Sequence, residues 1–195
     1  MHWIGWDVPL RLLPFAAVAL LWAYVVGDGL ETLKITWRVS ALDVALMLGV
    51  GVLVFAACTL YRARFWPITS LSSARAHLVE DGYFLFFNAP AEELFFRGML
   101  QTWAMSVPFV PPIVGFAAVA LSFGFYHILV RFPLPFLILS SAGGVLFGIL
   151  FLVSDSILTP IVVHFIADLA LFNLGPQILV RFGKIPYRTH RARVG

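Results

Sequence analysis

Long apolar runs, broken by short polar or helix-stopping connectors, organise the chain from end to end. Runs long enough to cross about 30 Å of hydrocarbon fall at roughly 10–26, 41–60, 83–105, 112–130, 134–153 and 157–175. Between them lie Gly27-Asp28-Gly29, a polar stretch from Arg62 to Gly82, Pro108 with Pro111 and Pro112, Pro133 with Pro135, and Ser154-Asp155-Ser156. These are residues that turn or end a helix. The pattern predicts an all-α polytopic transmembrane bundle of about six spans. Its 195 residues allow one membrane-embedded domain over 1–195 and no separate soluble domain.

Composition agrees with that assignment. The chain is 61% hydrophobic and 12% charged, with a mean hydropathy of +0.95, whereas soluble domains are about 45–50% apolar and about 25% charged. The net charge of +3 is small, and no basic stripe with interleaved aromatics marks a nucleic-acid partner. The single cysteine, Cys58, sits in an apolar run and reads as a small buried hydrophobe. The first run lacks a small-residue cleavage site and is flanked only by Arg11, so it reads as an uncleaved span.

Charge matters most by position. With both termini cytoplasmic, Arg11, Arg62, Arg64, Arg75, Arg131, Arg181, Lys184, Arg188, Arg191 and Arg193 fall on the inside, against Lys34 and Arg38 outside. That asymmetry satisfies the positive-inside rule. Small residues recur every four positions at Ser140, Gly144 and Gly148, and at Ala41, Ala45 and Gly49. This spacing predicts close helix approach at both stripes.

Against this apolar background, Glu92-Glu93-Leu-Phe-Phe-Arg97 places three ionisable side chains inside a spanning run. Such residues cost about 2.5–3.5 kcal/mol each for Asp, Lys or Arg on insertion scales, so they imply partners or chemistry. Glu93 and Arg97 are four apart, on one face, within reach of an ion pair. Glu92 is rotated by about 100° and points elsewhere, as a lone carboxylate suited to general-base work. Asn88 and Pro90 read as a helix start inside the membrane, with Asn88 as its cap. The possible partners lie downstream at His127, His164 and Asp168, the last two one turn apart on one face. At 1.5 Å per residue, Glu92, His127, His164 and Asp168 fall within roughly 12 Å of one another in depth. They can share one site in the cytoplasmic half of the membrane.

A carboxylate and two histidines buried together support two chemistries. Glu can take a proton from water held by one His while a second His donates to a developing oxyanion. Glu92, His127 and His164 could instead hold zinc, a set we disfavour because no compact zinc motif exists. No H-E-x-x-H, no G-x-S-G and no aspartate pair around G-x-G-D occurs.

These residues resemble the CAAX protease and bacteriocin-processing family, also called the abortive-infection family, of glutamic intramembrane proteases. Its pattern of E-E-x-x-x-R, F-x-x-x-H and H-x-x-x-N is met, in order, by Glu92-Glu93-x-x-x-Arg97, Phe123-x-x-x-His127 and His164-x-x-x-Asp168. The likeness covers about 85–175, and the spans at 10–26 and 41–60 match only as hydrophobic segments. The resemblance implies an intramembrane endopeptidase without a metal cofactor, in which Glu92 activates water with His127. His164 and the residue at 168 would stabilise the oxyanion, and Glu93 and Arg97 would hold the site's shape. An Asp at 168, where the family more often has Asn, cannot donate when ionised and would orient His164 or stay protonated. The implied substrate is a membrane-tethered protein or peptide: a prenylated tail, a bacteriocin-type precursor or a C-terminal sorting signal. The alternatives are a non-catalytic membrane immunity or partner-binding protein of the same fold, and a proton or ion pathway.

Overall fold

The structure, a computed structural model, describes residues 2–36, 38–65, 74–129 and 132–183. Among these residues every regular element is helical. Helix α1 (2–25) is α-helical over His2–Asp7 and Leu13–Val25, with a π-helical turn at Val8–Leu12. Helix α2 is Ala41–Phe65. Helix α3 (74–106) joins α-helical Ala74–Tyr83, Ala89–Glu93 and Thr102–Ser106 through π-helical Phe84–Asn88 and Leu94–Gln101. Helix α4 (Pro112–Ile128) closes in a 3-10 turn, Tyr126–Ile128. Helix α5 is Leu134–Ser154, and α6 (Leu158–Arg181) contains a π-helical turn at Leu169–Asn173.

Four of these, Trp3–Val25, Ala41–Phe65, Leu134–Ser154 and Leu158–Arg181, are long and apolar enough to cross a bilayer. Pro112–Ile128 is apolar but shorter, and α3 is set apart by Glu92, Glu93 and Arg97 along its length. The protein is an integral membrane protein, and its exterior matches that solvent. Leu21, Leu48, Leu53, Phe86 and Ile138 are each more than half exposed, a coat that hydrocarbon accepts and water does not. Four helices outrun their hydrophobic stretches: α1 begins at residue 2, α2 continues to 65, α3 begins at 74, and α6 continues to 181. Polar residues can extend a helix that tertiary packing holds, so hydropathy alone under-reads its ends. Arg131, Lys184, Arg188, Arg191 and Arg193, used above for orientation, lie outside the described residues, as do residue 130 and the connector stretch 66–73.

The expected helix start at Asn88 is not what forms. Asn88 has helical dihedrals and makes no side-chain cap, and α3 passes straight through Pro90. The wide π-helical turn Phe84–Asn88 just before the proline explains this. It changes the hydrogen-bond register where Pro90 has no N–H to give.

Backbone proximity fixes the bundle. A Cβ on Gly144 of α5 would lie 2.4 Å from the Ala120 carbonyl oxygen of α4, and one on Gly148 would lie 2.7 Å from Gln101 Oε1 of α3. The Ser140-Gly144-Gly148 stripe therefore lies at a helix contact, as its spacing predicts. Gly144→Val is expected to cost about 1–3 kcal/mol by overpacking a backbone that cannot yield, read as a lower unfolding midpoint in detergent. The stripe Ala41, Ala45, Gly49 is different. All three are exposed, and it is Gly51 that meets α6, where an added Cβ would lie 2.7 Å from Ile166 Cδ1. The inner face of α2 is set by Asp43, Gly51, Cys58 and Thr59. Ser40 and Asp43 bond reciprocally at its start, Ser40 N to Asp43 Oδ2 at 2.7 Å and Asp43 N to Ser40 Oγ at 3.1 Å. The other Asp43 oxygen accepts from Thr159 Oγ1 at 3.1 Å, tying α2 to α6.

Candidate active site

Each helix that brings ionisable side chains to the site departs from ideal α-geometry close to at least one of them. Arg11 lies in the π-helical turn of α1, Glu92 and Glu93 lie between the two in α3, and Asp168 directly precedes the one in α6. His127 lies on the 3-10 turn ending α4. Such turns re-aim side chains away from the 3.6-residue stripe.

Together they build a cavity of about 480 Å³, lined by Glu92, His127, His164 and Asp168, with Asp7, Arg11, Tyr83, Asn88 and Tyr126 among its other walls. All four residues expected from the sequence therefore meet at one hollow. Glu93 and Arg97 stand behind it, both 0% exposed. Arg97 Nε donates to Glu93 Oε2 at 3.0 Å, and its guanidinium carbon lies 4.7 Å from the centroid of the Phe123 ring. The other Glu93 oxygen bonds His164 Nδ1 at 2.8 Å. Because a carboxylate accepts, His164 carries a proton on Nδ1 there and turns Nε2 into the cavity. Phe147 stacks on the same ring at 4.9 Å and 17°. His164 Nε2 then stands 3.9 Å from Glu92 Oε2 and 3.8 Å from Asp168 Oδ2.

Glu93, more than Asp168, thus fixes the orientation of His164. Asp168 accepts instead from Asn88 Nδ2 at 3.2 Å. His127 Nδ1 lies 2.8 Å from the Phe123 carbonyl oxygen and donates to it, which leaves Nε2 of the neutral ring as a lone pair for the cavity.

Glu92 is not the lone carboxylate its rotation away from Arg97 suggests. It is 2% exposed, and its Oε1 accepts from Arg11 Nη1 and from the Tyr126 hydroxyl. Its Oε2 is buried without a hydrogen-bond partner among the described residues. Arg11 is the residue that sequence reasoning misplaced. It lies within the span Trp3–Val25, clamped by Asp7 at 2.7 Å through both Nε and Nη2, and leaves the set of cytoplasmic flanking charges. Tyr83 and Tyr126 were also missed. The i, i+4 pairing of Asp7 with Arg11 was the available signal, a second ion-pair spacing in an apolar run.

Among the described residues, no three His, Cys, Asp or Glu side chains converge to hold a metal ion. The set Glu92, His127, His164 also has the Arg11 guanidinium on the carboxylate that a zinc ion would need, so these residues do not fit a zinc centre.

No curated protein and no solved structure matches the chain. The family model described as type II CAAX prenyl endopeptidase Rce1-like matches residues 76–170. That stretch holds both glutamates, Arg97, both cavity histidines and Asp168, and the helices that aim them at one another. Over residues 76–170, just under half of its length, this membrane protein is similar to the Rce1-like family of CAAX-type proteases.

Proposed function

We infer that the protein is an intramembrane endopeptidase that hydrolyses a peptide bond in a membrane-tethered protein or peptide by glutamate-activated water. The observation that carries this reading is the bare Oε2 of buried Glu92, facing His164 in a cavity that His127 also lines. The 3.9 Å gap between Glu92 Oε2 and His164 Nε2 suits one oxygen atom bonded to both.

In this mechanism Glu92 Oε2 takes a proton from water as the water oxygen attacks the scissile carbonyl carbon. His127 Nε2 accepts the second water hydrogen and fixes the direction of attack. The carbonyl π-electrons move to oxygen, where His164, as an imidazolium with its second proton on Nε2, meets the negative charge. Collapse breaks the C–N bond, and the proton held by Glu92 passes to the leaving amine. Glu93 and Arg97 act through His164 as positioning residues, and Arg11 and Tyr126 hold Glu92 by its other oxygen.

We place this chemistry in one domain over 1–195 with six spans and both termini cytoplasmic. The basic residues Arg62, Arg64, Arg75 and Arg181 support that orientation, against Lys34 at the far end beside Asp155. A tail entering from the cytoplasmic side or laterally from the bilayer reaches the cavity.

The test uses the full chain in liposomes with three anchored peptides: a prenylated tail, a precursor-type leader and a sorting-signal tail. In H₂¹⁸O, one new carboxyl per cut should carry the heavy oxygen, and turnover should survive a zinc chelator. Absence of cleavage in all three would overturn the peptidase reading. Loss of turnover to chelator with recovery on zinc would overturn the metal-free mechanism.

A further inference from the structure

The reaction just described places negative charge on a carbonyl oxygen in a water-poor cavity, and that oxygen needs N–H donors aimed at it. The available donors can be counted one by one. Arg11 is committed: Nε and Nη2 to Asp7, Nη1 to Glu92 and to Tyr126 Oη at 2.9 Å, and Nη2 also to Tyr83 Oη at 3.0 Å and to Asn88 Oδ1 at 2.8 Å. The hydroxyl protons of Tyr83 and Tyr126 go to Asp7 and Glu92. His127 uses its Nδ1–H on a backbone carbonyl. Asp168, when ionised, has nothing to donate.

Among the described residues Asn88 is what remains beside His164, whose Nε2 the mechanism already turns on this charge. A guanidinium has no lone pair, so the Arg11 contact forces the amide oxygen of Asn88 toward Arg11 and its Nδ2 toward Asp168. Nδ2 carries two hydrogens, and the carboxylate at 3.2 Å takes one. The second meets no acceptor among the described residues, on a buried side chain that lines the same cavity, four residues before Glu92.

We propose that Asn88 supplies the amide donor to the oxyanion, with Asp168 as the acceptor that holds that amide in place. The two positions form an amide–carboxylate pair whose amide sits on α3 instead of α6. This assignment rests on the peptidase reading above, and it names Asn88 as a catalytic residue.

Exchange of the pair tests it in the full-length protein in liposomes, with kcat and KM measured on whichever tail the wild type cleaves. Asn88→Asp keeps an acceptor for Arg11 and removes the donor, and Asn88→Ala removes both. Each is expected to lower kcat about 10²-fold or more with little change in KM, the usual loss for one oxyanion donor. Adding Asp168→Asn to either should restore kcat at least tenfold, because it returns an amide to the cavity. If Asn88 only braces Arg11, N88A/D168N stays as slow as N88A, since position 168 offers Arg11 no acceptor, and the proposal falls. Wild-type kcat in N88D also overturns it. Cleavage by the wild type, and its dependence on Glu92, are read separately, so failure here leaves the peptidase reading standing.

Discussion

Glu92→Gln is expected to lower kcat by about 10³-fold while leaving the helical content of the protein unchanged. The substitution keeps shape and volume, and the Gln carbonyl can still accept from Arg11 and Tyr126, the two donors now on Glu92 Oε1. What is lost is the lone carboxylate oxygen facing the cavity, and with it the group that takes the water proton. General-base catalysis contributes typically about 10²–10⁴. Initial rates in liposomes, with both fragments quantified, make the comparison. The same variant separates the competing readings: a partner-binding protein would keep its binding, and a proton pathway would change conductance with no peptide cut by either form. Undiminished cleavage by the Gln variant would remove Glu92 from the role of base.

Much of this site is written in the sequence because its parts break a strong rule. In a chain that is 61% hydrophobic, each ionisable residue within a span stands out, so Glu92, Glu93, Arg97, His164 and Asp168 could be collected without knowing the fold. Their i, i+4 spacings then paired Glu93 with Arg97 correctly. Arg11 escaped the same logic because hydropathy began the first run at residue 10, which turned a central cation into a flanking one. Once α1 is seen to start at residue 2, Asp7 and Arg11 become intramembrane charges like the others.

The remaining gap is geometric. Periodicity at 3.6 residues cannot foresee π-helical turns, and they stand at or beside Arg11, Glu92 and Asp168. The same limit explains Asn88, which reads as a cap because Asn before Pro favours a helix start, yet serves inside a continuous helix as a cavity wall. Small-residue stripes were legible only in part. Gly144 faces the Ala120 backbone and Gly148 the side chains of Gln101 and Phe116, whereas Ala41, Ala45 and Gly49 are exposed. A stripe of small residues in a lipid-exposed helix carries no information about which side its neighbour is on.

Arg97→Met should produce the largest loss of stability of any single change in the polar core. Arg97 and Glu93 are both fully buried, so removing the cation leaves a buried carboxylate whose remaining partner among the described residues is His164. Breaking a buried pair from one side costs about 3–5 kcal/mol, whereas replacing both partners by packed apolar groups is often nearly neutral. Glu93→Leu combined with Arg97→Met should therefore recover most of that stability, read as the SDS-driven unfolding midpoint in mixed micelles. Activity should not follow. In the double variant His164 has lost the 2.8 Å acceptor on Nδ1, its ring is free to turn or change tautomer, and peptide cleavage should stay low although the bundle is stable. Equal instability of the single and double variants would show that Arg97 acts through its contact over the Phe123 ring, at 4.7 Å, and not through the ion pair. Recovery of both stability and turnover would show that Glu93 does not position His164. The division of labour in the core, with one glutamate for chemistry and its neighbour for alignment, depends on those two quantities separating.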